Sequence, residues 1–496
     1  MKRVLTARAA RDFDSHIIND RGIPGLILME DAANAVCEHL LEHIGDVLIL
    51  CGTGNNGGDG FALLRQLNMS GRYAAACLIG DSNKLHGDAL TNYNAAVNSG
   101  CDVFNIFSVD DLVDIMRDRQ YFVLVDAIFG TGLDREIKGL YADVIDYANT
   151  TPCYRTAVDI PSGISADSGM VLGTAFMANS TVTFQTLKRG HLLYPGRSFC
   201  GEVTVAPIAC EQPDTMEYFP ENVDMHRLSQ LRFENSFKNS YGKVLIIGGC
   251  EKYAGAAVMA ATAAQRAGAG LVKAVCSESA RNALLQKEPE IMSYAVDTFR
   301  ADDPGIDESI RWADVTAFGM GAGRSDDMPA LLEKLLRTGK KTVIDADGLN
   351  CLSENRNLLG LLHDKCVLTP HVGEFARLTG RTTAEINANF PECASEFAKK
   401  YGAVLMLKSA TSVTAMPDGT IYYNTSGNTG LAKGGSGDML SGLIAGIAAQ
   451  GMPIGSATYV AARFQGLAAE ICELPEQVMT AADIADTYSR VFEMLK

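Results

Sequence analysis

The stretch CGTGNNGGDGFALL at residues 51–64, directly behind the apolar run DVLIL (46–50), decides how the first half of this chain folds. Gly52, Gly54 and Gly57 spell G-x-G-x-x-G between an expected strand and an expected helix. That arrangement brings backbone amides up to a pyrophosphate at a helix N-terminus. Taken alone it points to a nicotinamide cofactor that carries hydride, and Asp81 follows the next strand about where a ribose-binding acid belongs. Asn55, Asn56 and Asp59 are not part of that fingerprint. Their oxygens suit a cation or a polar ligand, while Asp59 has the alternative of capping the helix.

Outward from this loop, apolar runs alternate with helical spacing. The runs are YAAACLIG (73–80), YFVLVDAIFG (121–130), RTAVDI (155–160), STVTF (180–184) and GEVTVAP (201–207). Continuous apolar runs of this kind are buried parallel strands, and the alternation predicts a sheet with helices on both faces. The pattern stops between 208 and 240 and restarts at GKVLIIGG (242–249). Three segments are therefore expected: residues 1–213, a linker and entry segment 214–240, and a second α/β domain 241–496.

Composition narrows the function classes. A chain of 496 residues exceeds one ordinary core, and 47% hydrophobic with 21% charged residues is a globular balance. The net charge of −16 argues against nucleic acid or an anionic membrane surface as the main partner. It leaves room for a phosphorylated small ligand held by backbone amides. Thirteen cysteines without a C-x-x-C pair fit reduced thiols in a cytoplasm. The N-terminus lacks the apolar core of a signal peptide, and no run is long and apolar enough to predict a membrane span.

Three polar loops follow strands in the first half: GTGNNGGDG, VDAIFGTGLDREIKG (125–139) and VDIPSGISADSG (158–169). If their strands are neighbours, Asn56, Asp126 and Ser162 place an amide oxygen, a carboxylate and a hydroxyl together, a set suited to a hard cation. Asn, Asp and Gly after strands are also ordinary turn chemistry, so the weight rests on three such loops in one domain. In this order and spacing, together with GIPGLILMEDAA (22–33), the loops resemble the NAD(P)HX epimerase family, the YjeF N-terminal domain. The resemblance implies a Rossmann-like αβα sandwich acting on hydrated nicotinamide dinucleotides. It implies substrate contacts from Asn55, Asn56, Gly57, Gly58 and Asp59. Further contacts would come from Gly130, Thr131, Gly132, Leu133, Asp134, Arg135, Glu136 and Tyr141. It also implies potassium ligands at Asn56, Asp126 and Ser162, and Asp159 as the acid/base residue.

In the second half NTGLAKGGSGDMLSGLIAG (428–446) carries the chemistry. Gly434, Gly435 and Gly437 precede an apolar helix with Asp438 in its first turn. Amides there bind an anion, and the carboxylate is placed to take a proton from an attacking hydroxyl; its alternative role is a plain cap. With YGKVLIIGGCEKYAGAAVMAATAAQRAGAGLV (241–272), FGMGAGRS (318–325), VIDADGLN (343–350) and LTPHVGEFARL (368–378), this element resembles the ribokinase-like NAD(P)HX dehydratase family, the YjeF C-terminal domain. The resemblance implies a ribokinase-like αβα domain in which Ala256, Gly323, His371 and Asp438 meet the hydrate. Lys408, Ser409, Ala410, Thr411, Ser412, Gly434, Gly435, Ser436 and Gly437 would meet the adenine nucleotide. His371 without the family reads as a structural turn residue. FGMGAG departs from the usual G-P-G-L-G, and Ser409 stands where glycine is common.

The expectation is a cytoplasmic, two-domain repair enzyme. It would epimerise R- and S-NADHX and NADPHX and dehydrate the S form, with K+ in the first domain and Mg2+ with ADP or ATP in the second. The resemblance also implies a homo-oligomer, a tetramer. Two other readings stand beside it: a ribokinase-like vitamin-precursor kinase and a nucleotide-binding scaffold.

Overall fold

The computed structural model describes residues 1–228 and 232–496 and divides into two compact units, Lys2–Thr215 and Met216–Lys496. The strands of the first unit are β1 (Lys2–Leu5), β2 (Val47–Cys51), β3 (Ala74–Ile79), β4 (Asp102–Ile106), β5 (Val123–Ala127), β6 (Tyr154–Val158), β7 (Ser180–Phe184), β8 (Leu187–Lys188) and β9 (Glu202–Ala206). Seven of them form an all-parallel sheet in the order β4-β3-β2-β5-β6-β7-β9. The order reverses between β2 and β5, so the helices that follow these two strands pack on opposite faces of the sheet while their loops stay side by side. β1 pairs in parallel with β8, setting Leu5 opposite Lys188.

Alternation along each strand feeds two cores. Val47, Ile49, Cys51, Val123 and Val125 pack with the helices Gly25–Leu40 and Asn55–Met69. Leu48, Leu50, Leu124 and Ala157 pack on the other face against Leu112, Val144 and Ile145. Every one of these residues is buried, which is why the strands read as unbroken apolar runs. The edge strand β4 (DVFNI) was not among the expected runs; only Ile106 is buried, so its polar residues hide it.

The second unit continues with β10 (Glu217–Phe219), β11 (Lys243–Ile247), β12 (Leu271–Cys276), β13 (Met292–Ala295), β14 (Val315–Phe318), β15 (Lys341–Ile344), β16 (Cys366–Leu368), β17 (Val404–Leu407), β18 (Ser412–Ala415) and β19 (Ile421–Asn424). Pairing is parallel from β13 through β12, β11, β14, β15 and β16 to β17, then antiparallel through β18 and β19. The stretch SVTAMPDGTIYY (412–423) is thus a hairpin, turned at Asp418–Gly419. Inside the 208–240 stretch, β10 pairs with β19 and Asn222–Leu228 forms a 3-10 helix. One core joins the sheet to the helices Ala254–Arg266, Ser436–Ala449 and Ile454–Glu470. A Cβ on Gly442 would lie 1.9 Å from the Ala260 carbonyl oxygen, so the first two helices touch backbone to backbone.

Candidate functional sites

In the first unit the three loops converge. Gly52 must be glycine because a Cβ would meet the Ile128 carbonyl at 2.1 Å, and Gly57 because one would meet the Gly52 carbonyl at 1.9 Å. The outer glycines therefore seat the loop after β2 against the loop after β5. Gly54 caps the helix Asn55–Met69 without a side chain, and its carbonyl takes the first helical bond from Gly58. The amides of Asn55, Asn56 and Gly57 have no hydrogen-bond partner among the described residues, an anion-binding end of the kind expected at a phosphate. Asp59 lies one turn into the helix and is not its cap.

A cavity of about 530 Å³ opens beside this end. Its wall includes Asn55, Asn56, Asp59, Gly130, Thr131, Gly132, Leu133, Asp134, Arg135 and Asp159 of the expected residues. Gly57 and Gly58 face neighbouring backbone and Met29 instead. Glu136 pairs with Lys138 at 2.9 Å on the surface. Tyr141 donates to the Ile79 carbonyl at 3.2 Å and packs on Phe129, and it is not part of the cavity wall. Asp81 caps a 3-10 turn through the Asn83 amide and also stays outside the wall, so it does not serve as a ribose acid there.

Asp159 follows β6 at φ +66°, a left-handed backbone that side chains rarely adopt. The Val182 carbonyl takes its N–H at 2.8 Å and His191 Nε2 bonds its carbonyl at 2.9 Å. One carboxylate oxygen accepts from Lys188 Nζ at 2.7 Å and Thr183 Oγ1 at 3.0 Å; the other faces the Thr131 amide at 3.4 Å. Burial works to raise its pKa, but the Lys188 charge and these donors outweigh it and hold Asp159 below the usual aspartate value. The Lys188 ammonium also donates to Thr183 Oγ1 and the Phe184 carbonyl, so each of its three protons has an acceptor. His191 is pushed down to about 4 by burial and by Lys188.

Lys188 and its neighbours Phe184, Gln185 and Thr186 line the same cavity and were not among the expected residues. The signal was a fourth polar loop behind a strand, QTLKRGH after STVTF; a lone lysine there reads as solvated. Asp14, on the helix Ala7–Asn19, was missed too, because no motif marks it.

Asp126, at the end of β5, is fully buried, and Ser162 Oγ, Ser162 N and Ile128 N donate to it at 2.6, 2.7 and 3.1 Å. Desolvation lifts its pKa to about 6 against those hydrogen bonds, and no cationic side chain pairs with it among the described residues. Asn56, 8% exposed, leaves its amide nitrogen without a partner among the described residues. A buried carboxylate lacking a counter-charge, with the Ser162 hydroxyl against it, fits a hard cation.

In the second unit Gly435 caps the helix Ser436–Ala449 at φ +97°, again with no side-chain cap. The amides of Gly437 and Asp438 have no backbone partner among the described residues, and the buried Ser436 hydroxyl is likewise unpaired. A Cβ on Gly437 would sit 3.4 Å from Lys408 Nζ and 3.7 Å from an Asp345 oxygen, so these groups ring the helix end. Asp345, nearly buried, accepts from Lys408 Nζ at 3.2 Å and Ser441 Oγ at 2.8 Å. Asp438 is raised to about 6, mostly by burial and by Asp345, with Lys408 opposing.

His371 caps the helix Val372–Thr379, its Nδ1 accepting from Gly373 N at 3.0 Å, and its side chain is 58% exposed. A bridge aligns it with Lys408, whose N–H donates to Pro370 O at 2.8 Å. Ser409, Ala410, Thr411 and Ser412 make the turn from β17 into β18, where Ser412 Oγ donates to Ser409 O at 3.3 Å. Gly319, Gly321 and Gly323 all have positive φ, so FGMGAG keeps glycine wherever the backbone needs it. Gly323 donates to Asp347 at 2.8 Å, and Ala256 lies beside Gly321. Asp345 and Asp347 bring carboxylates, the hard oxygen donors that suit Mg2+, to the strand end at residues 345–347.

Fold and site thus define a doubly wound α/β domain followed by a ribokinase-like domain with a buried carboxylate, Asp438, at a helix N-terminus. Residues 25–190 match the family described as YjeF-related protein N-terminus, and residues 244–490 the family described as NAD(P)H-hydrate dehydratase. A bifunctional NAD(P)H-hydrate repair enzyme of Moorella thermoacetica is 36% identical over 99% of this chain and 97% of its own length. The enzyme of the same description from Escherichia coli is 33% identical over 93% of this chain and 88% of its own. The chain belongs to the family of bifunctional NAD(P)H-hydrate repair enzymes. A Streptococcus mutans protein of known structure superposes with TM-score 0.50 at 26% identity, covering 56% of this chain and 99% of that one.

Proposed function

We propose that this chain repairs hydrated nicotinamide nucleotides in two steps, epimerising R- and S-NAD(P)HX in its first domain and dehydrating the S form in its second at the expense of ADP or ATP. The observation that carries the reading is a repeated one. Each half sets a carboxylate, Asp159 or Asp438, near a helix N-terminus whose amides are free. Neither arrangement calls for hydride chemistry.

In the first domain the free amides of Asn55–Gly57 hold a substrate phosphate, and Asp159, kept ionised by Lys188, removes the proton of the C6 hydroxyl. Asn56, Asp126 and Ser162 would hold K+, which would supply a counter-charge to the buried carboxylate. In the second domain Asp438 takes the proton of the same hydroxyl as its oxygen attacks the terminal phosphoryl group of the nucleotide. The amides of Gly437 and Asp438 receive the charge that develops on that group, and Lys408 stands beside it. Asp345 and Asp347 would hold Mg2+, which would supply positive charge to the phosphates. The phosphate ester then leaves from C6 with loss of a C5 proton, restoring the dihydropyridine; hydroxide itself is a far poorer leaving group. Ala256, Gly323 and His371 would border the hydrate and Ser409–Ser412 the nucleotide. The reading extends to a cytoplasmic location and to a homo-oligomer, a tetramer, on the strength of the family resemblance alone.

The test is a mixture of R- and S-hydrate incubated with the full chain and ADP or ATP. Wild type should recover all of the reduced nucleotide, whereas Asp159→Ala should stop once the S fraction is consumed. Accumulation of a stable phosphorylated product in place of NADH would favour a kinase and sink the repair reading.

A further inference from the structure

One face of the helix Ala7–Asn19 forms part of the cavity wall in the first domain. Ala10, Arg11, Asp14 and Ile18 recur at helical spacing and all line it, whereas Asp12 does not. Two ties set that face in place: β1, which leads into the helix, pairs with β8 at Lys188, and Arg11 donates to the Thr131 carbonyl at 3.4 Å. Thr6 caps the helix, and Asp167 accepts the Ala7 amide at 2.6 Å. The geometry therefore brings a carboxyl group from an element outside the sheet to the cavity that holds Asp159.

We propose that Asp14 is the second proton-transfer group of the epimerase, the acid that complements Asp159 as base; this rests on the repair reading above. Inverting C6 of a cyclic carbinolamine without redox chemistry requires a bond to that carbon to open and close again. Asp159 takes the hydroxyl proton, C6=O forms, and the C6–N1 bond breaks with its electron pair staying on N1, conjugated with the ring carboxamide. The carboxylic acid of Asp14 gives its proton to N1. Rotation about C5–C6 presents the other carbonyl face. N1 then returns its proton to Asp14 as it attacks, and the oxygen recovers a proton from Asp159. No proton, electron pair or water is gained or lost in the cycle.

The two acids need opposite resting states, and their surroundings provide them. Lys188 bonds Asp159 directly and keeps it ionised. Asp14 is open to the cavity's solvent, yet enough protein surrounds it that desolvation raises it to about 6, with Lys188 lowering and Asp159 raising it. The other charged groups of the wall are Arg11 on its own helix, Asp59, Asp88, Asp134 and Arg135. Asp59 is the competing acid: burial, Asp159 and Asp14 raise it well above the usual value. It sits one turn inside the helix whose free amides take the phosphate, on the anion's side of the cavity.

Pure R-hydrate with ADP or ATP reads epimerisation in the full chain, because reduced nucleotide appears only after inversion; pure S-hydrate reads dehydration in the second domain, and a melting curve reports that the first domain of each preparation is folded. Asp14→Asn should lower kcat on R-hydrate on the order of 100-fold, with KM changed far less. It should also abolish the fall in kcat that wild type shows as rising pH ionises the acid. Asp14→Glu should restore part of the rate and the alkaline fall with it. Wild-type kcat in Asp14→Asn, an unchanged alkaline fall in that variant, or transfer of the whole effect to Asp59→Asn would each overturn the proposal. Undiminished R-hydrate turnover in Asp159→Asn would instead remove the reading of Asp159 as base, whatever Asp14 does.

Discussion

Asp438 and Lys408 illustrate how single residues tune this chain. A base works only when ionised, and Asp438 starts near 6 because burial and Asp345 favour its protonated form. Dehydration of S-hydrate, measured as kcat/KM, should therefore fall as pH drops through about 6. Lys408 opposes that shift, so Lys408→Met should move the acid limb to higher pH besides weakening turnover. An acid limb that stays put in the variant would contradict the electrostatic role. Lys188 acts on Asp159 with the same sign but through a direct ion pair at 2.7 Å, with both partners largely out of solvent. Removing one partner of such a pair costs about 3–5 kcal/mol because a buried charge is left alone.

At the scale of elements, glycine sets the distances. Gly442 lets the helix Ser436–Ala449 lie on the helix Ala254–Arg266, and Gly446 meets the Ala264 carbonyl in the same way. Gly442→Ala should push the helices apart, destabilise the domain by about 1–3 kcal/mol, and lower its thermal midpoint in a melting curve. Because Asp438 rides on the first turn of that helix, S-hydrate turnover should drop with it. An unchanged midpoint would mean the backbone contact has slack.

The same elements explain what could be read from sequence. Strands buried on both faces, such as VLILC and KVLII, announce themselves, and so do Gly-rich turns that must approach backbone. β4 and the Lys2–Leu5 strand do not, since their signals are mixed polarity and short length. That Asp126 and Ser162 meet was recognisable because their loops follow the neighbouring strands β5 and β6. Lys188 and Asp14 were not: the first lies in a two-residue strand, the second on a helix joined to the cavity only through β1 pairing.

For the whole molecule, the net charge of −16 sits around substrates that are themselves anionic. Local amide ends, Lys188 and Lys408 must overcome that field, and bound cations would help. Potassium should therefore raise the melting temperature of the first domain relative to a large organic cation at equal ionic strength. Asp126→Asn should erase the difference. Equal melting temperatures in both salts for wild type would argue against the Asn56–Asp126–Ser162 ion site.

The left-handed backbone at Asp159 has a consequence for how this protein tolerates change. Its conformation asks for glycine, the chemistry proposed for it asks for a carboxylate, and the two demands meet at one position. Strain of about 1–3 kcal/mol is retained there, held by the Val182 and His191 hydrogen bonds. Optimising the fold for stability alone would trade the aspartate for glycine and leave a sounder scaffold with an idle cavity. The position thus marks where robustness and reactivity are set against each other in this chain.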